Sequence, residues 1–64
     1  MHKLIAEFAF EHLLGNERLV AMQFSDFAAS LDDVLPDGSN TDMALSYLLR
    51  ARDRAVSALM RVDS

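Results

Sequence analysis

The chain has 64 residues and no cysteine, carries a formal net charge of −4 at pH 7, and is 52% hydrophobic. A chain this short forms one domain with a thin core, and the lack of cysteine excludes disulfides and thiolate chemistry. The acidic charge disfavours non-specific nucleic-acid binding. A lone three-helix unit of this size cannot hide so much apolar surface, so the composition predicts self-association.

The N-terminal stretch predicts a helix over residues 2–14, because it contains good helix formers and neither proline nor glycine. Its apolar side chains fall on two faces, one with Ala6, Phe10 and Leu13 and the other with Ile5, Phe8 and His12. Two such faces need more burial than one intrachain partner supplies. Glu7 and Glu11 interrupt the apolar run, so neither a secretion signal nor a membrane span is predicted, and the cytoplasm is the expected location.

Gly15 and Asn16 leave two possibilities open. They could end one helix and cap the next. However, the four-three spacing of the first stripe continues to the apolar positions Val20, Phe24, Phe27, Leu31 and Val34. We therefore favour a kink or brief interruption at residues 15–16, followed by a helix over residues 17–34. The centre of this stripe, Phe24, Phe27 and Leu31, is predicted to be core.

The run Leu35-Pro36-Asp37-Gly38 predicts a turn over residues 35–40, because the residue before proline leaves helical geometry. Ser39 and Thr41 are candidate caps for a final helix over residues 41–62. The expected fold is all-α, with two or three helices in a single domain. These units are expected to assemble as a homo-oligomeric helical bundle.

The final helix carries two lines of residues with different chemistry. One is an apolar stripe rich in alanine, with members Ala44, Leu48, Ala51, Ala55, Ala58 and Val62. The other places an aromatic ring and three cations on one flank, with members Tyr47, Arg50, Arg54 and Arg61. A tyrosine ring can stack on a base, and arginine forks pair with phosphate. This flank is either an anion site or a solvated surface that bridges to acidic residues of a neighbour.

Metal binding and catalysis find no matching pattern. His2 and His12 lie nearly three helical turns apart, so one protomer cannot chelate a metal with both. A calcium loop counted from Asp33 would need ligands at Leu35 and Ala44. The serines are scattered, with no glycine-flanked nucleophile turn. We expect no enzymatic activity, no metal and no cofactor.

A longer pattern begins at the turn. A Leu-Pro pair and a glycine are followed by Ala-Leu and then by Leu, Ala, Ala and Ala at helical steps. The positions are Leu35, Pro36, Gly38, Ala44, Leu45, Leu48, Ala51, Ala55 and Ala58. This pattern resembles that of the phage anti-CBASS cyclic-oligonucleotide sponges, which soak up second messengers of bacterial immunity. The resemblance covers about the last half of the chain.

The resemblance implies a small all-helical protein that assembles as a symmetric homo-oligomer, a hexamer in the best-known members. It also implies that cyclic di- or trinucleotides are held between protomers without being cleaved. Two departures stand out. Ser39 and Asn40 replace a common Arg-Glu pair, and Leu49, Arg50 and Arg54 stand where Glu-Glu and a tryptophan are often found.

The expected function is therefore a non-enzymatic phage sponge for cyclic oligonucleotides, with the chain itself and the nucleotide as partners. Its expected ligand-binding residues are Tyr47, Arg50, Arg54, Arg61, Arg18 and Lys3, of which the last two would add charge from a neighbouring protomer. The alternative is a small helical oligomeric module of a phage that docks on a protein and has no small ligand. A DNA-associated role conflicts with the net charge, and neither DNA nor membrane is an expected partner.

Overall fold

The computed structural model describes residues 3–60 and builds them from helices. A 3-10 helix, Lys3–Phe8, is followed by α1, Gly15–Val34, and α2, Ser39–Met60. No strand occurs within this range, which confirms the predicted all-α class. The two α-helices form a hairpin, and the 3-10 helix packs against both of them. The Cα envelope measures 39 × 21 × 14 Å, so the molecule is flat.

The N-terminal segment corrects the helix predicted over residues 2–14. Regular structure ends at Phe8, and Leu14 has extended backbone, with φ −129° and ψ 157°. Phe8 is fully buried against Ala28 and Leu45, and this tertiary contact outweighs the local helix propensity. Beyond Phe8, the Glu11 carboxylate accepts a 2.9 Å hydrogen bond from the Phe10 N–H. Backbone hydrogen bonds to Glu11 lower the pKa of its carboxyl group.

The junction at Gly15 is a break between two elements, not a kink in one helix. Gly15 has φ +63°, a left-handed conformation that glycine adopts without steric cost. Leu14 caps α1 through its carbonyl, which accepts a 3.4 Å hydrogen bond from the Arg18 N–H. Because the chain leaves helical geometry before Gly15, the stripe of the N-terminal segment does not continue into α1.

The core line of α1 also differs from the predicted one. Ala21 and Ala28 are fully buried, whereas Phe27 is 55% exposed. Phe24 packs against the core cluster, as predicted, but Phe27 does not belong to it. The ring of Phe8 occupies the space above Ala28, and only a small side chain there allows so close an approach. Because Ala28 faces the core, its neighbour Phe27 lies about 100° further round the helix.

The turn between the helices spans residues 35–38, and hydrogen bonds on both sides hold it. Leu35 N–H donates to the Leu31 carbonyl at 2.8 Å, and Asp42 N–H donates to the Gly38 carbonyl at 3.0 Å. Thr41 lies inside the first turn of α2 and does not act as its cap. Its buried hydroxyl donates a 2.6 Å hydrogen bond to the Pro36 carbonyl.

The buried side of α2 is centred on Leu45 and shares only Leu48 with the alanine-rich stripe. Leu45 is fully buried, and Leu48 and Leu49 pack against the cluster around it. Of the alanines, Ala51 and Ala58 are exposed. The stripe therefore lies at the edge of the intrachain core. Across residues 3–60, no helix has both the length and the apolar character that crossing a bilayer requires.

Candidate functional site

The outer face of α2, defined here by Tyr47, Arg50 and Arg54, carries an aromatic ring and two cations. These residues follow the buried Leu45 by two, five and nine positions, which turns them about 140–200° away from the core. All three are exposed, and Tyr47 is 59% exposed. The spacing of the sequence therefore places these three predicted site residues together on one surface.

The side chains of both arginines on this face are unpaired in the described part of the chain. Within residues 3–60, the guanidinium groups of Arg50 and Arg54 form no hydrogen bond and no ion pair. Residues four apart on a helix have Cβ atoms about 6 Å from each other, so the two guanidinium groups can reach a common ligand. An unpaired guanidinium presents a fork of N–H donors that matches the oxygens of a phosphate or a carboxylate.

The other predicted cations lie elsewhere or outside the described range. Arg18 belongs to α1, and its guanidinium carbon is 5.6 Å from the centroid of the Phe10 ring. Lys3 is the exposed first residue of the 3-10 helix. Arg61 lies outside the described residues. A single chain therefore groups Tyr47, Arg50 and Arg54 but not Arg18 or Lys3.

Arg52 is an interacting residue that the alanine spacing does not single out. Its Nη1 donates a 2.8 Å hydrogen bond to the Glu7 carbonyl. Its Nε and Nη2 donate to Oδ1 of Asp53 at 3.0 and 2.6 Å. The guanidinium carbon also lies 5.9 Å from the centroid of the Phe8 ring. The available signal is its position seven residues after Leu45, which places it on the core line of the helix.

A groove of about 240 Å³ lies between the N-terminal segment and α2. Its lining residues are His12, Leu13, Arg52, Asp53, Val56 and Ser57. The arginine there is already paired with Asp53 and with a backbone carbonyl. The groove therefore offers an anion less unpaired positive charge than the outer face of α2 does.

Among residues 3–60, no group of histidine, aspartate and glutamate side chains is arranged to hold a metal ion. The outer face of α2 itself offers ring stacking and charge-assisted hydrogen bonding. Comparisons with protein-family models, curated proteins and solved structures found no match.

Proposed function

We propose that this protein is a non-enzymatic phage sponge that binds and sequesters cyclic di- or trinucleotides, or a related nucleotide signal. By holding these messengers it would counteract bacterial anti-phage defence. The observation that carries the proposal is the outer face of α2, where Tyr47, Arg50 and Arg54 are exposed together and neither guanidinium group has a partner within residues 3–60. The family pattern that begins at Leu35 supports the same function.

The chemistry of the face fits a cyclic nucleotide in two respects. The Tyr47 ring can stack on a base, and stacking tolerates any base because each has a π-face. The two guanidinium groups can donate paired hydrogen bonds to the phosphates of the ring. Binding without cleavage needs no nucleophile and no general base, and the proposal assigns neither role to a residue of this face.

A face on one helix leaves the far side of a ligand in water. Tight small-molecule sites usually surround most of the ligand surface. A second protomer would supply the missing wall, and the sponge resemblance likewise implies that ligands lie between protomers. The proposed partners are therefore further copies of this chain and the nucleotide.

Calorimetry with a panel of cyclic di- and trinucleotides tests the proposal. We expect one or more of them to bind, and we expect Arg50→Ala to weaken that binding about ten- to a hundredfold, because a hydrogen bond to a charged group contributes about 1.5–3 kcal/mol. The matched control is Leu19→Ala, which alters an exposed residue of α1, away from the outer face of α2, without changing charge. Absence of heat with every member of the panel would contradict the proposal.

A second candidate is a protein-binding module without a small ligand. It is favoured by the 49% exposed Met43 and the 59% exposed Tyr47, which add apolar surface beside the arginines. Protein interfaces are enriched in tyrosine, methionine and arginine. In this case Arg50→Glu abolishes the capture of a protein partner in a pulldown, while the nucleotide titrations remain silent.

A further inference from the structure

The groove between the N-terminal segment and α2 is lined by polar groups that the described part of the fold leaves without partners. Oδ1 of Asp53 accepts both hydrogen bonds from Arg52, whereas its Oδ2 accepts none within residues 3–60. The Arg52 guanidinium donates to Asp53 and to the Glu7 carbonyl, and it has more N–H donors than these bonds use. Unused N–H donors and an unused carboxylate oxygen therefore lie side by side in the groove.

The volume of the groove limits what it can hold. It measures about 240 Å³, below the range of about 300–1,000 Å³ that is typical of pockets for drug-sized ligands. A cyclic di- or trinucleotide, with its nucleotides joined in a ring, is too large for this space. The groove suits a molecule of the size of a single amino acid.

The charge of the groove selects a second property of its ligand. Arg52 and Asp53 form an ion pair with an Nη2–Oδ1 distance of 2.6 Å, so their formal charges cancel. A simple anion that approached Arg52 would also meet the Asp53 carboxylate, and a simple cation would also meet the guanidinium group. A molecule with both charges close together matches each of them, because its carboxylate faces the arginine while its ammonium group faces the aspartate.

Beyond the ion pair the groove has an apolar wall. Val56 lies four residues after Arg52, about 6 Å further along α2, and Leu13 lines the same groove from the N-terminal segment. Both are half-buried, so an aliphatic group beside them removes apolar surface from water. His12 and Ser57 complete the lining, and their side chains also have no hydrogen-bond partner within residues 3–60.

We propose that this groove binds a free α-amino acid with an aliphatic side chain, such as leucine. The carboxylate of the amino acid accepts hydrogen bonds from the Arg52 guanidinium, and its ammonium group donates to Oδ2 of Asp53. A single carbon joins these two groups in an α-amino acid, so they can meet two neighbouring charges of the protein at once. The aliphatic side chain extends along α2 towards Val56 and Leu13.

This inference goes beyond the proposed function, because the groove and the outer face of α2 use different residues. Arg50→Ala removes a guanidinium group from the outer face and should leave leucine binding unchanged. Leucine and cyclic nucleotides are titrated separately. The failure of one proposal is thus distinguishable from the failure of the other.

The first test is an NMR titration of isotope-labelled protein with leucine. The Asp53 side chain is 62% exposed, so water screens its charge, and we expect a dissociation constant of about 1 mM. The shifts of the backbone amides should saturate and should centre on residues 52–57. Absence of saturable shifts up to about 10 mM leucine overturns the proposal.

Two analogues of leucine test the need for both charges. Isocaproate lacks the ammonium group, and isoamylamine lacks the carboxylate, whereas both keep the aliphatic chain. Each should bind at least about tenfold more weakly than leucine, because each leaves one charge of the groove unmatched. An analogue that binds as tightly as leucine overturns the proposed recognition.

Asp53→Asn tests the contact with the ammonium group. The substitution keeps a side-chain oxygen for Arg52 but removes the negative charge, so leucine binding should weaken about tenfold. Isocaproate should bind this variant more tightly than it binds the parent chain, because the repulsion of its carboxylate is gone. Asp26→Asn, at an exposed acid of α1, is the matched control and should change neither. Unchanged leucine binding in Asp53→Asn contradicts the proposal.

Ser57→Leu tests the location of the site, because the larger side chain fills the groove. Leucine binding should be lost, whereas the control Ser30→Leu, at an exposed serine of α1, should retain it. Circular dichroism checks that both variants remain helical. If Ser57→Leu does not fold, Asp53→Asn decides the question, since it conserves the shape of the side chain. Undiminished binding in folded Ser57→Leu overturns the assignment to this groove.

Discussion

At the scale of single residues, Arg52 joins two parts of the fold although it is a charged residue. An arginine can bury its aliphatic stem while its guanidinium group finds partners. Arg52 does this, with its side chain only 16% exposed, its guanidinium group beside the Phe8 ring and one N–H on the Glu7 carbonyl. It thereby ties α2 to the N-terminal segment. This hydrogen bond also gives a donor to the Glu7 carbonyl, which lies near the end of the short 3-10 helix.

We expect Arg52→Ala to lower the free energy of unfolding by about 1–3 kcal/mol, because it removes a charged hydrogen bond and stem packing together. Arg50→Ala, which alters an exposed arginine two positions away, is the matched control and should change stability by less than about 0.5 kcal/mol. Urea denaturation followed by circular dichroism gives both values. Equal effects of the two substitutions would show that Arg52 does not hold the N-terminal segment.

At the scale of elements, the junction before α1 depends on one backbone conformation. Gly15 has φ +63°, and a Cβ added there would meet no atom within 4 Å. Any cost of a larger residue is therefore conformational and not steric crowding by neighbours. Gly38 also has open space around it, but it has no positive φ. The two glycines therefore form a natural pair for comparison.

We expect Gly15→Ala to destabilise the fold by about 1–2 kcal/mol, the cost of a left-handed conformation for a residue with a Cβ. Gly38→Ala should change stability by less than about 0.5 kcal/mol. Thermal unfolding of both variants beside the parent chain measures the difference. If Gly15→Ala were as harmless as Gly38→Ala, the positive φ at residue 15 would not be needed for the fold.

The turn between the helices could be predicted from sequence, whereas the buried side of α1 could not. Leu35 and Pro36 predict the turn, because proline restricts its own backbone and that of the residue before it. The buried side of α1 could not be predicted from such a local signal. Two neighbouring sets of helix positions both contain Phe24, and one continues through Phe27 whereas the other continues through Ala28. The size of Phe27 favours its burial, but Ala28 is the residue that is buried, because the Phe8 ring packs against it. That choice depends on a contact distant along the chain.

The candidate site was predictable where it depends on one helix and unpredictable where it depends on packing. Tyr47, Arg50 and Arg54 share a surface because helical spacing alone brings them together. The hydrogen bond from Arg52 to the Glu7 carbonyl joins two elements, and no local pattern encodes it. Arg18, on α1, would need a neighbouring protomer to meet the outer face of α2.

At the scale of the whole molecule, the fold is thin. One dimension of the Cα envelope is 14 Å, about the depth of two packed helix backbones. A body this flat has much surface for its volume, and large apolar side chains such as Phe27 and Val34 remain exposed. Association of copies is therefore expected to stabilise the folded state.

We expect the Tm to rise with protein concentration, because a partner that binds only the folded chain stabilises it by mass action. Each kcal/mol gained should raise the Tm by roughly 4–8 °C for a domain of this size. Scanning calorimetry over about a hundredfold range of concentration measures the effect. A Tm independent of concentration in the parent chain would argue against association.

The burial of Phe8 has a consequence for the order of folding. The helices α1 and α2 are joined by a short turn, so their mutual contacts are local and quick to form. The ring of Phe8 comes from far along the chain to meet Leu45, and its docking requires the closure of a long loop. The hairpin is thus expected to assemble first and the N-terminal segment last. The arrival of a single aromatic ring would then complete the core, and the chain reaches its native state in that step.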